Sequence, residues 1–168
     1  MDKQKNVNPE SNLFNLFIQT NSPGELTSWV APIVKTFKHL VPASKITILL
    51  TPCQYASGQE KAVAEAIDGV DEVFKPKGTI KKIFSLPWFK KINSKGAFLY
   101  LGGDPMYSQI FSLKYRLPCF AYTEHNKKPG FLFKKVFYKS IDGDLMAERI
   151  NQLQIDKSVI IKKYNLDP

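Results

Sequence analysis

The sequence predicts an α/β domain: a doubly wound parallel sheet in three layers, α/β/α. Three observations predict it. Short apolar runs alternate along the chain with stretches whose apolar residues recur every three or four positions, the spacing of a helix with one buried face. The segments between these runs are mostly short and carry the Gly, Pro, Asn and Ser of turns, which suits strand–helix–strand units with right-handed crossovers. The length, 168 residues, is what one such domain needs to bury its own core.

Each element follows in order. Residues 1–12 are polar and without periodicity, so a disordered tail precedes a single domain over 13–168. Leu16–Thr20 reads as the first strand. Leu26, Trp29, Val30, Ile33, Val34, Phe37, Leu40 and Val41 then mark one helical face. Pro32 lies inside that pattern, so the helix either starts near Ser28 or kinks at the proline. Ile46–Leu50 is a second strand, closed by Pro52. Ser57-Gly58-Gln59-Glu60 has the form of a capping box opening a helix to about Ile67. Glu72–Phe74 is a short strand, and residues 79–93 form a basic, aromatic segment broken by Pro87. Ala97–Leu101 is a buried strand that Gly102-Gly103-Asp104-Pro105 turns into a helix over 105–116. Cys119–Tyr122 and Val136–Tyr138 complete the strands, and 143–154 and 156–164 have helical spacing.

Composition narrows the function classes. Hydrophobic residues make up 43% and charged residues 23%, which excludes a wholly disordered or collagenous chain. No apolar run approaches the ~18–20 residues of a membrane span. Leu13–Ile18 is too short for a signal peptide and lacks a cleavage pattern, which points to a cytoplasmic protein. Cys53 and Cys119 are too few for a disulfide scaffold and read as packed thiols. Twenty-four Lys and Arg against fifteen Asp and Glu leave a net charge of +9. Such a surplus speaks to anionic partners: nucleic acid, a membrane surface or an anionic substrate.

In a doubly wound sheet, ligands bind beyond the carboxyl ends of the strands. Those ends deliver Asn21, Ser22, Gly24 and Glu25 after the first strand, and Thr51, Cys53 and Ser57 after the second. Gly103 and Asp104 follow the strand ending at Leu101, and Thr123, Glu124 and His125 follow the strand ending at Tyr122. Three carboxylates and a histidine thus share one edge. Asp104 before Pro105 equally fits a helix N-cap, and Glu25 equally fits a first-turn acid facing the helix dipole. His125, beside Asn126-Lys127-Lys128, equally fits an exposed position. The turn Asn21-Ser22-Pro23-Gly24-Glu25 is not a dinucleotide fingerprint, and neither a P-loop nor a nucleophile elbow occurs. Two distant His and two distant Cys give no zinc spacing, so no metal is expected. A small residue followed by Pro-Gly still lets a phosphate or a sugar hydroxyl approach the backbone at a helix start.

The lysines cluster. Lys75, Lys77, Lys81, Lys82, Lys90, Lys91 and Lys95 follow one another with no acid between and interleave with Ile80, Ile83, Phe84, Leu86, Trp88, Phe89 and Ile92. A second cluster runs from Lys114 to Lys139. Basic residues laced with aromatic ones describe a membrane-interface segment, for which Lys81, Lys82, Phe84, Trp88, Phe89, Lys90 and Lys91 are the candidates. A core-facing helix with solvated lysines is the plainer alternative. No nucleic-acid motif accompanies the charge.

Several motifs occur in a telling order: Asn21-Ser22-Pro23-Gly24-Glu25-Leu26 with Ser28-Trp29-Val30, then Pro52-Cys53 with Ala56-Ser57-Gly58-Gln59-Glu60, then Leu101-Gly102-Gly103-Asp104, then Gly143-Asp144-Leu145-Met146. Over residues 16–147 the chain resembles the N-terminal half of lipid-A-disaccharide synthase-like glycosyltransferases. The likeness is to a branch carrying "NGPGE…W", "SPC…ASG.E", "FLGGD" and "GDLM". The resemblance implies a Rossmann-like acceptor-side domain of the two-domain B-type glycosyltransferase fold, with the donor domain lying outside this chain. It implies a lipid-linked sugar acceptor here and a nucleotide-diphosphate sugar as donor on the other domain. It also implies no metal cofactor, a place in lipid biosynthesis, and peripheral association with the inner face of the cytoplasmic membrane. The family's catalytic aspartate maps onto Asp104 and its Gly-Glu pair onto Gly24 and Glu25. Lipid-A enzymes continue that pair with Ala-Ser-Gly-Asp and separate their aspartate from the next proline by a residue. Here Leu26-Thr27-Ser28-Trp29 follows, and Pro105 comes directly. The expectation is therefore an inverting hexosyltransferase domain, inactive in isolation, with Asp104 or Glu25 as general base. Asn21, Ser22, Gly24, Ser57, Gly103, Glu124 and His125 would hold the acceptor. A sugar-nucleotide epimerase half-domain and a non-catalytic membrane-binding module of the same fold are the alternatives.

Overall fold

The structure is a computed structural model that describes residues 13–54, 56–85, 95–124 and 130–138. The expected tail over 1–12, the 143–154 and 156–164 helices, the Gly143–Met146 motif, and Trp88, Phe89, Lys90, Lys91 and His125 lie outside the described residues.

Six strands form one sheet: β1 (Phe14–Thr20), β2 (Ser44–Leu50), β3 (Glu72–Phe74), β4 (Gly96–Tyr100), β5 (Cys119–Thr123) and β6 (Phe133–Tyr138). Their order is β3-β2-β1-β4-β5-β6 and every pairing is parallel. This is the Rossmann-like arrangement the sequence predicts. Strands covered on both faces need apolar residues at every position, and alternate positions then serve opposite cores. Leu16 and Ile18 of β1 join Ile46, Ile48 and Leu50 of β2 and Ala97 of β4 on the first face. Phe17, Leu49, Phe98, Cys119 and Ala121, from the intervening positions, build the second.

The first face is covered by a helical run from Pro23 to Leu40 and by α3 (Glu60–Glu65). The run comprises α1 (Pro23–Glu25), a π-helical turn over Leu26–Val30 and α2 (Ala31–Leu40). The helix begins earlier than the expected start near Ser28, and a π turn carries it to the proline. An α-helix would need a Pro32 N–H for Ser28, and the ring would strike that carbonyl. The wider turn, in which the Ala31 N–H reaches Leu26 O, supplies an alternative path. It also keeps Leu26, Val30 and Val34, all fully buried, in one line against the sheet. Leu40, expected on the buried face, is 56% exposed at the helix end.

The second face is covered by α4 (Pro76–Phe84) and α5 (Pro105–Tyr115). The basic segment expected over 79–93 thus begins as a helix three residues earlier, with Pro76 pre-set for its first turn. Phe17, Phe98, Phe111 and Tyr115 stack through this layer, with Phe17 and Phe98 centroids 4.7 Å apart and Phe98 and Phe111 5.5 Å apart. Lys114, 2% exposed, lies between the two helices. Its Nζ donates to the carbonyls of Lys82 (2.6 Å), Ile83 (3.0 Å) and Ser85 (2.5 Å), capping the end of α4.

Candidate functional site

Strand order reverses between β1 and β4, so the loops after these two strands diverge and leave a crevice at the carboxyl edge of the sheet. Ser22 caps the helix after β1, its Oγ accepting the Glu25 N–H at 3.3 Å, with Pro23 in the first helical position. The Glu25 carboxylate folds back and accepts from the Thr20 hydroxyl at 2.6 Å and from the Asn21 N–H at 3.0 Å. This is the first-turn acid of the plainer sequence reading, with its carboxylate turned onto the end of β1.

The loop after β4 is shaped around that carboxylate. A methyl group on Gly102 would overlap both Glu25 oxygens, so only glycine lets the two loops close this far. Gly103 has φ of +82°, and a side chain there would strike the Thr51 hydroxyl and stand in contact with Asn21. Thr51 itself donates its N–H to Thr20 O at 3.0 Å. The ends of β1, β2 and β4 therefore meet in one polar floor. Gly24, by contrast, has open space where a side chain would stand.

Two residues that the sequence reading passed over hold this floor in place. Gln19, 1% exposed, donates from Nε2 to Gly102 O at 2.9 Å and to Asp104 O at 2.8 Å. Its Oε1 accepts the Ser108 hydroxyl at 2.5 Å. One buried amide thus ties the central strand to the β4–α5 loop and to α5, with both donors and its oxygen engaged. The Tyr100 hydroxyl donates to Gly103 O at 2.8 Å. Burial, with the charges of Glu25 and Asp104 adding to it, pushes the phenol up to about 12. The signals were present: Gln19 is an amide directly after an unbroken Leu16-Phe17-Ile18 run, and Tyr100 closes a strand just before a double glycine.

Asp104 is exposed at the same rim and caps α5, its Oδ1 accepting the Met106 N–H at 2.9 Å. Both readings offered for it place it here, and the cap is formed. Glu124 is exposed at the end of β5. Ser57 is engaged with Glu60: its N–H and hydroxyl donate to Glu60 Oε1 at 2.5 and 3.0 Å, and Gly58 N–H to Oε2 at 3.0 Å. Hydrogen bonds from the backbone N–H of Glu60 itself, then from Ser57 and Gly58, hold that carboxyl below the usual range against the cost of burial. Half the expected box is made; the Ser57 hydroxyl accepts from Gln59 N–H rather than from Glu60 N–H, and the helix ends at Glu65 rather than near Ile67. Of the membrane candidates described, Lys81 and Phe84 are exposed, while Lys82 is half-buried with its Nζ 3.9 Å over the Phe74 ring.

Among the described residues no group of three or more His, Cys, Asp or Glu is placed to hold a metal, and no helix is long and apolar enough to cross a membrane. Comparison with known proteins matches the chain to no family model, no curated protein and no solved structure.

Proposed function

We propose that this domain is the acceptor-binding half of an inverting glycosyltransferase and that the crevice between the loops after β1 and β4 receives the acceptor sugar. The observation that carries the reading is the pairing there of an exposed carboxylate, Asp104, with an exposed Gly24 and a half-buried floor that Gly102 and Gly103 keep free of side chains. Sugars are recognised through hydroxyls that both donate and accept, and a carboxylate at the rim of a side-chain-free crevice accepts from such a hydroxyl. The motif order around Glu25, Gly103 and Asp104 supports the same reading.

In this chemistry Asp104 takes the proton of the acceptor hydroxyl as its oxygen attacks the anomeric carbon. The bond from that carbon to the diphosphate breaks on the opposite face, and the nucleoside diphosphate leaves with the electron pair. A placed base contributes about 10²–10⁴ in rate. Glu25, whose Oε2 is engaged by Thr20 and Asn21, acts as a positioning residue. A non-catalytic module of the same fold is favoured by one observation, that Asp104 already serves α5 as its cap.

The test is nuclear magnetic resonance titration of the ¹⁵N-labelled chain with a short-chain alkyl ester of a hexose 1-phosphate. The reading expects saturable shifts of the Asn21, Gly24, Gly102 and Gly103 amides, and none from UDP alone. UDP shifting those amides, or the ester leaving them unmoved at millimolar concentration, overturns it. Asp104→Asn keeps an N-cap but cannot take a proton. Unchanged transfer in the Asn variant of the complete enzyme would favour the non-catalytic module.

A further inference from the structure

The net charge of the chain is not spread over the fold. Residues 13–74, which supply β1–β3 and the helices of the first face, carry four lysines against six acids. Residues 75–138 carry thirteen Lys and Arg against two acids, and those two, Asp104 and Glu124, stand at the carboxyl edge. The elements of the second face itself, residues 75–85, 105–118 and 130–138, contain eight Lys and Arg and no acid.

The same face exposes apolar side chains. Among the described residues five large hydrophobics are exposed, and four belong to it: Phe84 at 61%, Met106 at 49%, Leu113 at 50% and Phe131 at 81%. The elements that bear them adjoin. Lys114 joins the end of α4, which bears Phe84, to the last turn of α5, which bears Leu113. A side chain at Gly130 would overlap Gln109, so the segment entering β6 lies along α5 between Met106 and Leu113. A groove of about 520 Å³ opens beside them, lined by Ser112, Leu113, Arg116, Leu117, Pro118 and Leu132. The same segments carry exposed Lys77, Lys81, Arg116 and Lys134.

We propose that this face, formed by α4, α5 and residues 130–134, docks on an anionic lipid bilayer, with Phe84, Leu113 and Phe131 entering the interface and the cations contacting headgroup phosphates. The charge complementarity is one-sided: a face whose elements carry eight cations, with Asp104 at its carboxyl-edge rim, is attracted as a whole to a negative plane, whereas the opposite face is not. A nucleic acid would account for the cations but not for Met106, Leu113 and Phe131, which read no phosphate; insertion into an interface accounts for both. Face-on docking lays the strands parallel to the bilayer. The carboxyl-edge crevice then opens sideways along the interface, where a lipid-linked hydroxyl is presented. That last consequence rests on the proposed function; the docking itself does not.

The experiment is co-sedimentation of the whole chain with vesicles of phosphatidylcholine containing phosphatidylglycerol. The surface variant is Lys81→Glu/Arg116→Glu/Lys134→Glu, the apolar variant Phe84→Ser/Phe131→Ser, and the control Lys35→Glu/Lys61→Glu on the first face; far-ultraviolet circular dichroism checks that each folds. Each cation at an anionic surface is worth roughly a fivefold change in partition, so the surface variant is expected to bind about a hundredfold more weakly. The apolar variant is expected to lose at least tenfold and the control nothing. Binding of wild type is expected to fall between 0.1 and 0.5 M salt and to be absent on pure phosphatidylcholine. Equal sedimentation of wild type and the surface variant overturns the proposal. So does a duplex oligonucleotide that binds the chain while anionic vesicles do not. The sugar titration above can fail while this binding persists, and the reverse, so the two readings separate.

Discussion

Substituting Gly102 by alanine is the sharpest probe of the crevice, because the nearest obstacle is one side chain, Glu25. Gly102 does not have positive φ, so alanine meets no backbone strain there. The atoms its methyl group would meet first all belong to the Glu25 carboxylate, the far end of a flexible side chain. The overlap is relieved when Glu25 swings away, and the price is the Thr20 and Asn21 hydrogen bonds. Bonds to a charged acceptor are worth about 1.5–3 kcal/mol each. Water replaces part of that at a half-buried site, leaving about 2–4 kcal/mol for Gly102→Ala and a similar loss for Glu25→Ala. In the Glu25→Ala background that obstacle is gone, so adding Gly102→Ala is expected to cost little or to stabilise by up to about 1 kcal/mol. Urea unfolding of the four proteins, with linear extrapolation, gives the cycle. The expected coupling is about 2–4 kcal/mol, the size of one single loss; losses that add to within about 0.5 kcal/mol refute the contact and with it the closeness of the two loops.

Further expectations concern single groups. Asp104→Ala should cost about 1 kcal/mol through the lost cap while Asp104→Asn costs only a few tenths, read by the same unfolding assay. Gln19→Leu strands two carbonyls and a serine hydroxyl, so a loss of about 2–4 kcal/mol is expected, with the amide shifts of Gly102 and Gly103 moving. The folded-state pKa of Tyr100, about 12, lies above the ordinary value. Its contribution to stability is therefore complete below the unfolded pKa near 10 and is lost as pH rises toward 12; Tyr100→Phe should flatten that alkaline fall. The Glu60 carboxyl is displaced the other way, so its contribution is present above the ordinary carboxylate pKa and is lost as pH falls; Glu60→Gln should flatten the acid limb. Burial pushes the Cys119 thiol up to about 12, so it should resist iodoacetamide at pH 8 until the chain unfolds.

The sheet was legible because its signal is local. Strands covered on both faces read as unbroken apolar runs such as Phe17-Ile18 and Ile48-Leu49-Leu50, and Asp104-Pro105 marks a helix start by its own chemistry. The polar ends of those runs, which name the candidate edge, were legible for the same reason. What escaped depends on partners far away in sequence. Nothing near Gln19 announces that its amide will meet Gly102 and Ser108, more than eighty positions on. Nothing near Lys114 announces that it will be buried against the end of α4. The π turn escaped because Pro32 forbids one geometry without specifying its replacement. The roles of Glu25 and Asp104 remain open between cap and catalyst in the sequence, since both roles ask for the same residue at the same helix start.

The central position of β1 has a consequence for how the chain is made. One flank of this strand pairs with β2, which follows soon after. The other must await β4, and Gly96 is synthesised 76 positions after Thr20. At roughly 5–20 residues per second, that edge spends about 4–15 s on a nascent chain with its backbone donors and acceptors unmatched. During that interval Gln19 has no carbonyls of the β4–α5 loop to bind, and the run Leu16-Phe17-Ile18 has only half its cover. An early, long-exposed, two-sided apolar strand is a natural client for a ribosome-associated chaperone, and slowing translation between residues 50 and 96 would lengthen the exposure and lower the soluble yield.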